Sequence, residues 1–163
     1  MPPPDEKDPS TWPTELLAAL QAIIDRSRAS AGSAVLETFD RADRRMSALE
    51  FVTFWNGARM KAMATTGADG APHIAPVHAE FTAGRLRTTI YETALRRRDL
   101  RTNPRVALTT WGPHGAAAIV YGMAREIPDS RRETRPGASE RPRWTVALEI
   151  DVTRIYALKA RED

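Results

Sequence analysis

The spacing of apolar residues changes near residue 59, and this change constrains the fold more than any other feature. Before it, apolar residues recur with the period of a helix. After it, short extended runs alternate with turn residues such as Asp69-Gly70 and Ala83-Gly84. All but two of the connections between these runs are too short for a parallel crossover, which needs a dozen or more residues. The runs are therefore expected to pair antiparallel.

Six strands are predicted after residue 58, with one helix among them. The helix spans 93–102, and residues 128–142, rich in proline and charge, are expected to form a long mobile connection. Gly122 is expected to mark a bulge or a close approach of the backbone. The fold class is therefore α+β, with helices preceding a small closed or split antiparallel barrel. The predicted strands are 59–66, 73–80, 85–91, 105–111, 116–127 and a last one in two pieces, 143–151 and 154–158.

Three regions precede or form this barrel. Residues 1–12 are rich in proline and charge and are expected to be a disordered tail. Residues 13–46 are expected to form a helical extension, because Pro13 suits a first helical turn and an apolar stripe follows it. The barrel domain is assigned to residues 47–163, and its first helix should begin at Ser47, which can form a capping box with Glu50. The stripe consists of Leu16, Leu17, Leu20, Ile23 and Ile24.

Composition excludes several classes of function. The chain of 163 residues has no cysteine, so disulfides, thiol catalysis, iron–sulfur clusters and zinc fingers are excluded. Its start, Met-Pro-Pro-Pro-Asp-Glu-Lys-Asp, lacks the basic and apolar segments of a secretory signal, so a cytoplasmic location is expected. The uncharged stretch 106–124 is interrupted by Gly112 and Pro113, which favours a hairpin over a membrane span.

Positive charge is concentrated between residues 85 and 105. Seven arginines and two acidic residues give this segment a local charge of +5, although the whole chain carries only +3. We expect Thr93 to cap the helix and Arg96, one turn inside, to bind a phosphate group at the helix N-terminus. The hydroxyl groups of Thr88 and Thr89 are candidate further donors. The alternative is a solvated, arginine-rich helix face. The seven arginines are Arg85, Arg87, Arg96, Arg97, Arg98, Arg101 and Arg105.

Three segments carry a resemblance to a known family. They are ATTGADGAPHIAPV at 64–77, GRLRTT at 84–89 and LRRRDLRTNPRVAL at 95–108. In order and spacing the chain resembles the pyridoxamine 5'-phosphate oxidase-like superfamily of FMN-binding split barrels. The resemblance covers about residues 47–127 and implies a split barrel that forms a homodimer, with two flavin sites at the subunit interface.

The resemblance also implies residue roles. Arg96 falls where the family usually has a phosphate-binding lysine, and Arg98 and Asp99 fall where arginine and asparagine are common. One strand is expected to meet the edge of the isoalloxazine ring. The implied cofactor-binding residues are Pro76, Val77 and His78 on that strand, with Thr88, Thr89, Thr93, Arg96 and Arg98 around the phosphate.

Several positions depart from the family pattern. Ala94 and Leu95 stand where the oxidase has serine and arginine, and Ala117 stands near the position of a flavin-contacting glutamine. Glu92 brings a negative charge towards the implied phosphate site. The chain also ends at Ala160-Arg161-Glu162-Asp163 without the arginine- and histidine-bearing segment that holds pyridoxamine phosphate, so vitamin B6 oxidation is not expected.

The three histidines do not suggest a metal site. His73 and His78 are five residues apart on one predicted strand, so their side chains should lie on opposite faces and cannot chelate one ion together. His114 lies alone in a hairpin turn, and a surface or hydrogen-bonded role is expected for it and for His73. His78 remains open between a surface role and a flavin contact.

Three functions follow from these observations. The first is an FMN-dependent oxidoreductase that transfers a hydride to or from a small organic molecule, with use of the deazaflavin F420 as a variant. The second is a split-barrel dimer without catalytic activity, which has lost its cofactor or only carries flavin or haem. The third, nucleic-acid binding, has the charge but lacks the interleaved aromatic residues for base stacking. No residue is assigned a catalytic role.

Overall fold

The computed structural model describes residues 5–135, 137 and 141–162. These residues form four helices and eight strands. The helices are α1 (Thr14–Ala29), α2 (Ser33–Phe39), α3 (Ala48–Gly57) and α4 (Leu95–Thr102). The strands are β1 (Lys61–Thr66), β2 (Pro72–Val77), β3 (Ala79–Thr82), β4 (Arg85–Tyr91), β5 (Arg105–Trp111), β6 (Ala117–Glu126), β7 (Arg132–Thr134) and β8 (Arg143–Leu158).

The strands form one curled antiparallel sheet. Its order is β2-β1-β5-β6-β8-β4-β3, with β7 paired to β8 beside this path. Only His78 separates β2 from β3 along the chain, yet these strands lie at the two ends of the order. The sheet must therefore curl until its ends approach each other. This confirms the predicted α+β split barrel with N-terminal helices and one inserted helix.

The predicted number of six strands is wrong, for two reasons. The chain leaves one end of the sheet at His78 and joins the other end, so the strand predicted at 73–80 is divided into β2 and β3. Within the predicted mobile connection, Arg132–Thr134 pairs antiparallel with β8, Arg132 lying opposite Thr145. The described part of that connection is thus partly a strand.

Helix α3 packs against β3 of the sheet. It begins with the predicted capping box between Ser47 and Glu50 and ends at Gly57. Its buried Trp55 packs on Phe81 of β3, with ring centroids 6.2 Å apart, and its indole N–H donates to the carbonyl of Ala79 over 3.0 Å. Such contacts fix the barrel's interior.

The N-terminal region is packed on the barrel. Helix α1 spans the predicted apolar stripe, and Leu20 and Ile24 are buried in the same core as α3 and the sheet. Ahead of it, the buried Trp12 donates from its indole N–H to the carbonyl of Glu6 over 2.9 Å. Residues 5–12 therefore include a segment that packs against the fold, and residues 1–4 of the predicted tail lie outside the described residues.

Gly122 marks a close approach, as predicted. The register between β6 and β8 shifts between Tyr121 and Gly122. A Cβ atom at Gly122 would lie 2.5 Å from the carbonyl oxygen of Asp151 and 2.7 Å from Cγ2 of Ile150. The two strands therefore meet at a point where no side chain fits.

Buried Lys61 lies inside the barrel at the start of β1. Its ammonium group donates to the carbonyl of Ala58 and sits 5.4 Å from the centre of the Trp55 ring. Burial lowers the pKa of Lys61 to about 8, against the ordinary value of 10.5. No carboxylate forms an ion pair with it among the described residues, so the fold carries a costly charge here.

Replacing Lys61 by methionine is expected to stabilise the protein at pH 7 by about 1–3 kcal/mol, because an apolar side chain of similar length avoids the desolvation of a charge. A lowered folded-state pKa means that the unfolded chain binds more protons between pH 8 and 10.5, so wild-type stability rises with pH across this window. Urea denaturation at pH 7 and pH 10 measures both effects. A Lys61→Met variant that is less stable than wild type at pH 7 would contradict the prediction.

Candidate functional site

Helix α4 holds the arginines that the sequence analysis singled out. It begins at Leu95, and its N-cap residue is Ala94, whose side chain makes no capping bond. The predicted cap by Thr93 is wrong, because the chain turns before the helix and the N–H of Ala94 donates to the carbonyl of Tyr91 over 2.9 Å. Thr93 is left exposed on the surface.

Arg96 occupies an unusual position in the first turn of α4. Its Nε atom is buried and has no hydrogen-bond partner among the described residues. Burial also lowers the pKa of the guanidinium group. A buried donor without an acceptor costs about 1–3 kcal/mol, so such a group is a candidate contact for a ligand atom.

Three other arginines of the cluster are neutralised by distant acidic residues. Arg97 makes a two-pronged ion pair with Glu126 of β6, at 2.9 and 2.8 Å. Arg87 lies 3.0 Å and Arg85 lies 3.6 Å from the carboxylate of Glu149. The local charge of +5 therefore does not converge on one ligand.

Glu92 does not face an uncompensated phosphate site. Its carboxylate accepts hydrogen bonds from Arg131 over 2.8 and 3.1 Å. The hydrogen bond from Arg131 holds the pKa of Glu92 below its ordinary value. The negative charge that the sequence placed near the phosphate is thus largely offset by Arg131.

The two threonines of β4 point to opposite sides of the sheet. Thr88 is buried, and its hydroxyl donates to the carbonyl of His78 over 2.6 Å. Thr89 is exposed. Successive strand residues face opposite ways, so these hydroxyls do not converge on one group.

An apolar depression lies on the outer face of β1, β2 and β5, with a volume of about 360 Å³. Pro76 lines it, whereas Val77 is buried in the core and His78 lies just beyond the end of β2. Two large apolar side chains stand out at its rim, since Ile74 is 73% exposed and Trp111 is 70% exposed. Large apolar surfaces of this kind mark binding or interaction sites.

A polar cleft of about 490 Å³ lies between the β1–β2 turn and α4. Arg98 lines it, together with His73. His73 is held by buried Asp99, because Nδ1 of His73 lies 2.7 Å from Oδ2 of Asp99. The hydroxyl of Thr65 donates to the same oxygen over 2.7 Å. Although burial would raise the pKa of Asp99, the bonds from Thr65 and His73 hold it below its ordinary value.

The Asp99–His73 pair was missed by sequence reasoning, which placed His73 only as a surface or hydrogen-bonded residue. The partners are 26 positions apart and belong to α4 and β2. One indication was available in the sequence, namely that Asp99 is the only acidic residue within the arginine-rich helix. No group of three or more metal-ligating side chains occurs among the described residues, 5–135, 137 and 141–162.

Glu149 makes stability sensitive to acid. It lies buried between Arg85, Arg87 and Arg125, and although burial opposes ionisation, the bond from Arg87 and the charges of the other two hold its pKa below 4.5. A lowered folded-state pKa stabilises the protein above the unfolded value, and this contribution is lost as the pH falls through the folded-state pKa. Unfolding free energy is therefore expected to fall as the pH drops below about 4.5.

The variant Glu149→Gln is expected to lose about 1–3 kcal/mol at pH 7, because three arginines are left without their shared acceptor. Its unfolding free energy should also change less with pH in the acid range than that of wild type. Guanidinium denaturation at pH 7 and pH 3.5 tests this. The exposed Glu37 of α2 supplies the matched control Glu37→Gln, and an equal loss in both variants would contradict the prediction.

Comparison with protein families gives one match. A family model described as pyridoxamine 5'-phosphate oxidase matches residues 48–159. The matched segment runs from the first residue of α3 to just beyond β8. A search of curated proteins found no match to the sequence.

Several solved structures share the fold. A conserved hypothetical protein from Mycobacterium tuberculosis is 20% identical, with a TM-score of 0.60 over 74% of this chain and 89% of that chain. An FAD-binding protein from Mesorhizobium loti is 21% identical, with a TM-score of 0.55, and the match covers 73% of this chain and 98% of that chain. A haem storage protein from Vibrio cholerae is 10% identical, with a TM-score of 0.50, and the match covers 66% of this chain and 92% of that chain. At these identities the likeness establishes the fold alone.

None of the helices among the described residues is long and apolar enough to cross a bilayer. The uncharged stretch 106–124 lies in β5, β6 and the turn between them, in keeping with the predicted hairpin.

Proposed function

The chain belongs to the pyridoxamine 5'-phosphate oxidase family, and from this membership we propose that it is an FMN-dependent oxidoreductase acting on a small organic substrate. One observation carries the proposal, which is the buried Nε of Arg96 without a partner among the described residues. A phosphate oxygen in front of it would accept the missing hydrogen bond. The residue present therefore fits the phosphate of a flavin nucleotide.

The start of α4 supports the same assignment. The first N–H groups of a helix lack partners within the helix, and the helix dipole favours an anion there. Arg96 lies in that turn, and Arg98 follows on the cleft side. In this proposal Arg96 binds the phosphate directly and Thr93 adds a hydroxyl group nearby, whereas Arg98, which the resemblance also implied, lines the polar cleft instead. The hydroxyl of Thr88 has no part in it, because it already donates to His78.

The apolar depression is proposed to receive the ring. Pro76 and Ile74 of β2 and Trp111 of β5 offer an apolar surface that excludes water. When bound, the isoalloxazine ring supplies the hydride chemistry, so few acid or base residues are needed from the protein. Ile74 and Trp111 are too exposed to be fully packed within one chain. We therefore place the ring between two copies of the chain in a homodimer.

Vitamin B6 oxidation is not part of this proposal. Ala94 and Leu95 offer no hydrogen-bond donor from their side chains at positions where the oxidase has serine and arginine. Leu95 is 42% exposed. These two residues also favour the second candidate, a split barrel that carries flavin or haem without catalysing a reaction. F420 remains the alternative cofactor for the first.

Cofactor titration tests the proposal directly. FMN, FAD, F420 and haem are added separately to the purified protein, and binding is followed by absorbance, fluorescence and melting temperature. FMN is expected to bind and to raise the melting temperature, since a ligand at 100 times its Kd adds about 2.7 kcal/mol of stability. If neither FMN nor F420 binds, the oxidoreductase proposal is wrong.

A second measurement separates the enzyme from the carrier. The protein loaded with FMN is mixed anaerobically with NADH or NADPH, and loss of the oxidised flavin absorbance is followed. Reduction of the flavin, followed by its reoxidation with a quinone or nitroaromatic acceptor, supports the oxidoreductase. Tight binding without either step supports the carrier.

A further inference from the structure

The polar cleft beside α4 has the features of a second ligand site. It is lined by side chains of the β1–β2 turn, β2 and α4, with a volume of about 490 Å³ that suits a metabolite-sized molecule. Arg96 does not line it. The cleft is therefore distinct from the position proposed for the flavin phosphate.

His73 is oriented towards a ligand by Asp99. An ionised carboxylate can only accept hydrogen bonds, so the contact of 2.7 Å assigns the proton to Nδ1 of His73. The other ring nitrogen, Nε2, is then left for a ligand, since the side chain lines the cleft and is 30% exposed. A doubly protonated imidazole ring donates from Nε2 as well.

Gly67 leaves the room that this imidazole needs. A Cβ atom at Gly67 would lie 3.0 Å from Cε1 of His73 and 2.8 Å from Oδ1 of Asp69. Any side chain there would push against the ring. The turn is thus shaped so that His73 stays accessible.

The charges around the cleft favour an anion. Arg98 and Arg101 are exposed and line the cleft, and neither forms an ion pair among the residues that the structure describes. Asp69 opposes an anion, although one of its oxygens accepts the N–H of Ala71 over 3.0 Å. The charge of Asp99 is already engaged by His73 and Thr65. We propose that this cleft binds a small oxyanion, the carboxylate or phosphate of a metabolite-sized ligand, between His73 and the two arginines.

The test uses the fact that the chain has only three histidines. The full-length protein is labelled at histidine, and the Cε1 proton resonances are recorded by NMR at pH 6.5 without flavin. The resonance of His73 is assigned with the variant His73→Gln. Sodium phosphate and sodium succinate are titrated separately against sodium chloride at constant ionic strength, because screening alone shifts resonances.

A saturable shift of His73 with either anion supports the proposal, and the two titrations tell whether the site prefers phosphate or carboxylate. His114, in the turn between β5 and β6, is the internal reference and should not follow the same curve. A linear change with both anions, or the same change at all three histidines, overturns the proposal.

Four variants locate the anion. Arg98→Ala is expected to weaken binding about tenfold, the usual effect of losing one charge-assisted hydrogen bond. Asp69→Asn should tighten it about threefold, because a repelling charge is removed. Arg132→Ala, in β7, and Arg96→Leu should leave it unchanged. If Arg98→Ala behaves like Arg132→Ala, or if Arg96→Leu abolishes binding, the proposal is overturned, while the flavin proposal stands on its own titration.

Discussion

Replacing Arg96 by leucine is expected to weaken FMN binding about 100-fold, which corresponds to about 2.7 kcal/mol. The guanidinium group would otherwise donate charge-assisted hydrogen bonds to the phosphate, each contributing about 1.5–3 kcal/mol. Titration with FMN, followed by quenching of its fluorescence, gives the two dissociation constants. Arg96→Lys should retain part of the affinity, because it keeps the charge but loses the planar fork of donors.

The same variant should behave differently in the absence of flavin. Leucine removes a buried donor that has no partner among the described residues, so the unliganded variant is expected to be at least as stable as wild type. Arg97→Leu is the matched control, since Arg97 is the next residue of α4 but pairs with Glu126. It should cost some stability and leave FMN affinity within about twofold of wild type. Equal losses of affinity in the two variants would show that the phosphate site is misplaced.

The parts of the fold that the sequence predicted correctly depend on local chemistry. The capping box of Ser47 and Glu50 and the stop at Gly57 define α3, and the short turns force antiparallel pairing. The break at His78 depends instead on closure of the whole sheet, because β2 and β3 belong to opposite ends of the strand order. Likewise Arg132–Thr134 becomes a strand only because β8 runs beside it.

The candidate site shows the same division between local and distant interactions. Arg96 was identified from its position in the first turn of a helix, which is a local property. The charge of its neighbours was misjudged because their acidic partners lie far along the chain, as Glu126 does for Arg97 and Glu149 for Arg87. The cleft with His73 and Asp99 needed the same long-range information. The net charge of a segment therefore indicates a ligand site only once the ion pairs that its charged residues form with the rest of the chain are known.

Introducing a methyl group at Gly122 should cost about 2–3 kcal/mol of unfolding free energy, and Gly122→Val should cost more. The added Cβ would lie 2.5 Å from the carbonyl oxygen of Asp151, which is backbone and cannot rotate away. Relief requires β6 and β8 to separate, and both strands are held by pairs on either side, from Tyr121 with Arg154 to Met123 with Asp151. Urea denaturation of Gly122→Ala measures the cost.

Gly57→Ala is the control that separates steric conflict from the general effect of replacing glycine. Nothing lies within 4 Å of a Cβ at Gly57, the last residue of α3. Alanine is the better helix former, so this variant should be neutral or more stable by up to about 1 kcal/mol. If Gly122→Ala also stays within about 0.5 kcal/mol of wild type, β6 and β8 do not approach as closely as described. A large loss confined to Gly122 would instead confirm the close approach of β6 and β8, at the point where the register between these two strands shifts.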